Sequence, residues 1–158
     1  MEIKRTLLIM ILLAGFALSC EDEYTSPIPW FEVNLVLNLN LQDKELNSQG
    51  TIKTITARRL ETDRLGYGGL LIINGYPNGQ NRSDINLYAY DLSCPNEKIP
   101  SPGITVEPDT SNMFAVCPRC GEVYDITLGY GNPQHGQKHS LKTYRVTKMS
   151  EKQYRVTN

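Results

Sequence analysis

The sequence lacks an excess of basic residues: 16 Lys and Arg stand against 17 Asp and Glu in 158 residues, a formal net charge of −1. A surface that binds a polyanion needs surplus cations, so the composition argues against nucleic acid as a partner. The chain also lacks internal repeats and low-complexity segments, and 40% of its residues are apolar. These properties argue against a disordered chain or a membrane bundle, and the length fits one domain.

The N-terminal apolar run is too short to span a bilayer comfortably. Lys4 and Arg5 precede about a dozen apolar residues, an order typical of a secretory signal. The run closes on Ser19 and Cys20, which resembles a bacterial lipobox. The resemblance implies that residues 1–19 are a removed signal peptide and that Cys20 is lipidated. Acyl chains such as palmitate, at about 0.8 kcal/mol per buried methylene, then hold the protein on a membrane.

An acidic cluster, residues 21–23, follows Cys20 directly and resembles the surface-export signal of Bacteroidota lipoproteins. It implies a lipid-anchored protein of the cell envelope, in the outer membrane of a Gram-negative bacterium. Residues 20–31 include two prolines at alternate positions, which favour an extended tether. The partner beyond the membrane is an unidentified envelope protein or a redox partner.

Residues 32–158 read as strands. Apolar and polar side chains alternate from Val33 to Leu41, which is the period of a half-buried strand. Residues 68–75 form a short apolar run between glycines, typical of a buried strand. Further strands are predicted over residues 51–57, 86–92, 113–117, 122–128, 141–147 and 153–156. Only residues 42–47 and 58–65 favour a helical turn. Many short strands predict an all-β, antiparallel sandwich or barrel.

Two of these strands end in a Cys-Pro turn. Cys94-Pro95 follows one strand, and Cys117-Pro118 follows another and continues to Cys120. Proline fixes the backbone after each cysteine and leaves the turn free to aim its N–H groups at sulfur. Two such loops that face each other form a metal-binding pincer.

The two turns and their strands resemble the Rieske iron–sulfur domain, whose two loops carry Cys-x-His and Cys-x-x-His. The resemblance covers roughly residues 68–146 and is closest to Rieske-like lipoproteins of Bacteroidota. It implies a β-sandwich or barrel of Rieske type with both Cys-Pro loops at one end. It also implies that residues 129–136 fold over the loops.

The ligand set departs from that family. Cys94 and Cys117 carry over as ligands, whereas Asn96 and Cys120 stand where the family has histidine. An amide is a poor ligand for ferric iron, so the standard cluster with two Cys and two His does not form at these positions. A variant cofactor-binding site uses all three cysteines as metal ligands, with one further group. The candidates for that group are Glu97, His135 and His139.

Three interpretations of the thiols stay open: a [2Fe–2S] variant that transfers electrons, a zinc site, or a disulfide-stapled binding module without metal. Thiol–disulfide catalysis is disfavoured, because the residues after Cys120 read as a strand and not as the helix that lowers a reactive thiol's pKa. We therefore expect no enzymatic activity. We expect the three sulfurs to cluster, His135 to approach them from the covering loop, and Asn96 to act as a hydrogen-bond partner.

The lipid anchor makes a prediction that is independent of the metal. Cys20→Ser should abolish lipidation, because the thioether bond to the lipid needs sulfur, and should leave an unprocessed or soluble form. Metabolic labelling with a radioactive fatty acid measures this directly. Label that survives the substitution would show that the protein is not a lipoprotein of this kind.

Overall fold

The computed structural model describes residues 26–78, 85–97 and 100–158. The predicted signal peptide and Cys20 lie outside the described residues. Within the described part of the chain, no helix has the length and apolar character needed to cross a membrane.

Strands make up nearly all of the regular structure in the described residues, and the one exception is a 3₁₀ helix over Lys44–Asn47. The strands are β1 Val33–Asn38, β2 Ile52–Ile55, β3 Arg64–Leu65, β4 Leu70–Asn74, β5 Leu87–Asp91, β6 Glu107–Pro108, β7 Phe114–Val116, β8 Val123–Asp125, β9 Asn132–Pro133, β10 Thr143–Lys148 and β11 Gln153–Thr157.

The strands form two antiparallel sheets. The larger sheet has the order β2-β4-β5-β10-β11-β1-β3 and curls into a nearly closed barrel. The smaller sheet has the order β6-β7-β8-β9. The predicted all-β, antiparallel fold class is therefore confirmed.

Strand β4 shows why the chain needs two cores. All five of its residues are buried, and its four apolar residues alternate between two apolar clusters. Leu70 and Ile72 pack inside the barrel with β1, while Leu71 and Ile73 pack on the opposite face against the smaller sheet. A strand covered on both faces has no polar side, which explains the unbroken apolar run in the sequence. Cys94 and Cys117 belong to this second core.

Two sequence predictions about local structure need correction. Residues 58–65 do not form a helical turn. The Asp63 carboxylate instead accepts the backbone N–H groups of Arg59 and Leu60 and holds a turn that leads into β3. Strand β1 ends at Asn38 and not at Leu41, because the buried Asp43 carboxylate accepts the Asn38 N–H at 2.8 Å. In both places a short polar side chain that bonds to nearby backbone overrides the sequence prediction, a helical turn at residues 58–65 and a longer strand at residues 39–41.

The carboxylate of Asp91 fixes the end of β5, from which the first Cys-Pro turn departs. Asp91 is fully buried and accepts backbone N–H groups from Tyr67, Gly68 and Ser93 at 2.8–3.0 Å. It also accepts the Tyr144 hydroxyl at 2.6 Å. A buried charge must be fully hydrogen-bonded to be tolerated, so this network determines where the chain enters the turn.

The Tyr144 hydroxyl provides a test of this network. Tyr144→Phe should lower the free energy of unfolding by about 1.5–3 kcal/mol, because it removes a hydrogen bond to a buried carboxylate. Tyr154→Phe is a matched control. Both tyrosines are 7% exposed, but the Tyr154 hydroxyl makes no hydrogen bond to any residue that the structure describes. Equal losses in urea unfolding would contradict a special role for the Asp91 network.

Candidate metal centre

The first half of the centre is loop 1, residues 92–97, which follows β5. The Cys94 N–H donates to the Ile104 carbonyl at 3.3 Å, and Ser93 makes a bridge to Thr105. These contacts keep Cys94 buried, with 1% of its surface exposed. Glu97 follows three residues later, and its side chain is 9% exposed.

The second half is loop 2, residues 117–122, which connects β7 to β8. The Cys117 N–H donates to the Glu122 carbonyl, and the Gly121 N–H donates back to the Cys117 carbonyl, both at 2.9 Å. Gly121 has a φ of 74°, a conformation that side chains with a Cβ rarely adopt. The tight turn buries Cys117 completely and leaves Cys120 exposed.

The two loops bring four ligand-bearing side chains together. One potential ligand atom from each of Cys94, Glu97, Cys117 and Cys120 lies within 4.8 Å of the other three. The Cys94 and Cys120 sulfurs are 3.6 Å apart, and the Cys117 sulfur is 3.6 Å from Oε1 of Glu97. All three cysteines are free thiols. The four residues therefore lie close enough to hold a metal ion.

The side chain of Tyr124 contacts the candidate centre. Its buried hydroxyl lies 3.2 Å from the Cys94 sulfur and accepts the Asn96 side-chain N–H at 2.8 Å. Asn96 uses one acceptor site of the hydroxyl oxygen, so the O–H remains available to donate to the Cys94 sulfur. Tyr124 and Cys94 therefore form a hydrogen-bonded pair in which either atom can be the donor.

Asn96 is a hydrogen-bond partner, as the sequence analysis predicted. Its amide donates to the His139 carbonyl at 2.7 Å and accepts the His139 N–H at 3.0 Å. The two backbone contacts fix which end of the amide faces Tyr124. Asn96 therefore joins loop 1 to the segment that precedes β10.

Residues 134–139 meet both loops through the backbone. The buried Glu122 carboxylate accepts the N–H groups of Gln134 and His135 at 2.9 and 2.8 Å. The His135 side chain is exposed and is not part of the four-residue group. Of the proposed extra ligands, the structure brings Glu97 to the thiols, and neither His135 nor His139 is part of the four-residue group. The His139 backbone contacts Asn96.

Burial controls the protonation of the two inner thiols. Desolvation raises the pKa of the Cys94 thiol and raises that of Cys117 to about 12. Burial likewise raises the pKa of Tyr124, which keeps its hydroxyl protonated. Because a nearby cation favours thiolate, a metal ion held by these residues would oppose this effect for both cysteines.

The residues do not fit the ligand set of a standard Rieske cluster. The sequence resemblance sets Asn96 and Cys120 where that family has its histidines. The Asn96 amide is engaged with Tyr124 and the His139 backbone. The two inner cysteines remain, but the two imidazoles that define the Rieske centre are missing from the loops.

No protein-family model and no curated protein matches this chain. Among solved structures it is similar to a chain of the complex of reduced oxygenase and oxidized ferredoxin in carbazole 1,9a-dioxygenase. The two share 18% sequence identity, with 79% of this chain and 93% of that chain covered and a TM-score of 0.41. The assignment of the centre therefore rests on the residues of this chain.

Two residues of the centre were not found from the sequence. Tyr124 is on the inward side of β8, and the alternation of that strand was the available signal. The Nε atom of Arg119 lies 3.4 Å from Oε2 of Glu97. This contact joins the two loops, and no sequence pattern predicts it. Tyr124 contacts Cys94 and Arg119 contacts Glu97, but neither belongs to the Cys, His, Asp and Glu residues that usually bind zinc, so a pattern of such residues does not include them.

Proposed function

We propose that this protein is a non-catalytic, metal-binding β domain, in which a metal ion ties loop 1 to loop 2. The observation that carries the proposal is the convergence of Cys94, Glu97, Cys117 and Cys120 within 4.8 Å. Loops that are distant in the sequence gain most from such a link, because closing them costs chain entropy.

The role that fits these donors is structural. All four come from the protein, and structural sites are closed in this way, whereas catalytic sites leave a coordination position for water or substrate. The barrel core contains none of the cysteines. We therefore expect the metal-free protein to stay folded and the metal to stabilise the smaller sheet and its two loops.

Electron transfer is the alternative to a structural metal site. The thiol-rich loops favour it. An iron–sulfur cluster supplies one-electron chemistry when it is bound. The engaged amide of Asn96 weighs against that function, because it removes one of the two outer ligand positions.

The cellular setting is part of the proposal. In this proposal an export signal and a lipid on Cys20 would anchor the domain to the outer membrane, and residues 20–31 would act as a tether that lets it reach a partner in the cell envelope. The support for this setting is the order of residues 1–23 in the sequence.

Metal content and thermal stability test the function. The full chain, purified without oxygen, should contain one equivalent of metal and no acid-labile sulfide. At a zinc concentration about 100-fold above the dissociation constant, the melting temperature should exceed that of chelator-treated protein by about 10 °C. Cys120→Ser should lose most of this shift, because it removes a ligand that is exposed and carries no core packing.

Cys20→Ser is the control, since it removes a cysteine outside the centre and should keep the full shift. The proposed function would be wrong if the chain held no metal and its melting temperature did not change when zinc was added. Iron with stoichiometric labile sulfide would establish the electron-transfer module in its place.

A further inference from the structure

We infer that Glu97 is the fourth ligand of a single, four-coordinate Zn²⁺ ion, and that the centre is mononuclear and not a two-iron cluster. The inference rests on the proposed function and specifies its metal, its ligand and its geometry. Glu97 combines with the sulfurs of Cys94, Cys117 and Cys120 as one oxygen and three sulfur donors.

Two of the distances between donor atoms match the distances expected between ligands of one tetrahedral zinc ion. Zinc–sulfur bonds of about 2.3 Å and zinc–oxygen bonds of about 2.1 Å give edges of about 3.8 Å between two sulfurs and about 3.6 Å between sulfur and oxygen. The Cys94–Cys120 edge is 3.6 Å and the Cys117–Glu97 edge is 3.6 Å. Each edge crosses from one loop to the other, so both loops are already spaced for one ion.

The same distances are too short for two irons. In a two-iron cluster each iron carries two of the four donors, and bonds of about 2.3 Å separate donors on different irons by more than about 5 Å. All four donors here lie within 4.8 Å of one another. Cys94 and Cys120, which occupy positions that serve different irons in the Rieske arrangement, are only 3.6 Å apart.

The two loops also match in sequence. Loop 1 reads Cys94-Pro95-Asn96-Glu97, and loop 2 reads Cys117-Pro118-Arg119-Cys120. Each places a buried cysteine first and a second donor three residues later, a ligand spacing that zinc sites use. Glu97 therefore stands in loop 1 where Cys120 stands in loop 2.

The carboxylate of Glu97 is oriented for binding through one oxygen. Its Oε1 faces the Cys117 sulfur at 3.6 Å, and its Oε2 faces Nε of Arg119 at 3.4 Å. The Glu97 side chain is only 9% exposed, while that of Arg119 is 66% exposed. The guanidinium thus covers the outer oxygen and leaves the inner one for the metal.

The donor chemistry favours zinc. Three thiolates and one carboxylate in a tetrahedral arrangement suit Zn²⁺, which has no geometric preference of its own and accepts sulfur and oxygen donors together. The four donors carry four negative charges when deprotonated, and Arg119 adds a positive charge to the two of the ion. The proposed centre is anionic overall, and Zn²⁺ has no redox chemistry, so such a site would not transfer electrons.

Co²⁺ binding to the full chain, after removal of native metal, tests the ligand assignment. The wild type should bind one Co²⁺ with the visible spectrum of a tetrahedral thiolate site. Glu97→Gln should weaken Co²⁺ binding by at least about tenfold, because it replaces an anionic donor with an amide. Glu97→Cys should restore tight binding and raise the sulfur-to-cobalt absorption by about one third, since four thiolates replace three.

Glu107→Gln is the matched control, because Glu107 is an exposed glutamate of the same smaller sheet and lies outside the donor group. It should bind Co²⁺ like the wild type. If Glu97→Gln also binds like the wild type, Glu97 is not a ligand, although the proposed function stands. If iron and sulfide bind in place of one ion, the mononuclear centre is wrong. If no chain binds any metal, the proposed function fails as well.

Discussion

The candidate centre depends on one electrostatic constraint. Its inner thiols are buried, and a thiol becomes a metal ligand only when it loses its proton. Cys94 and Cys117 sit in the second core, where desolvation raises the pKa of both thiols. Without a cation they remain neutral core side chains. In the proposed function, a divalent ion among the four donors would stabilise the thiolate forms and link the two loops. Cys94 and Cys117 would then act as ligands as well as packing in the second core.

The fold buries these thiols because the larger sheet packs against apolar residues on both of its faces. Strands β4 and β5 line the barrel with alternate residues and cover the smaller sheet with the others. The barrel core is independent of the cysteines, so the centre can be built on a stable platform. Asp91 fixes the end of β5, and the Gly121 turn fixes loop 2, which makes the spacing of the donors a property of the backbone. A site supported in this way is preorganised, so little ordering remains when the ion binds.

The sequence predicted the fold class, because it depends on local signals. The meeting of the two loops was predicted from the family resemblance, and not because their strands are neighbours in one sheet, since loop 1 follows β5 of the larger sheet and loop 2 follows β7 of the smaller one. Alternation in β1 and the apolar run in β4 mark strands directly, and Cys-Pro turns mark their ends. The two-residue strands β3, β6 and β9 are too short to show a period, and Asp63 hides a turn within a helical pattern. The choice between Glu97 and His135 was undecidable, because it depends on which side chain the folded loops bring inward. Arg119 was missed for the same reason.

The central claim is that one zinc ion is held by three sulfurs and one carboxylate oxygen. X-ray absorption at the zinc edge of the zinc-loaded full chain measures this coordination most directly. We predict three sulfur neighbours at about 2.3 Å and one oxygen neighbour at about 2.0–2.2 Å, with no second metal nearby. A shell without oxygen would exclude Glu97 as the fourth ligand, and metal–metal scattering from a native iron centre would contradict the mononuclear site.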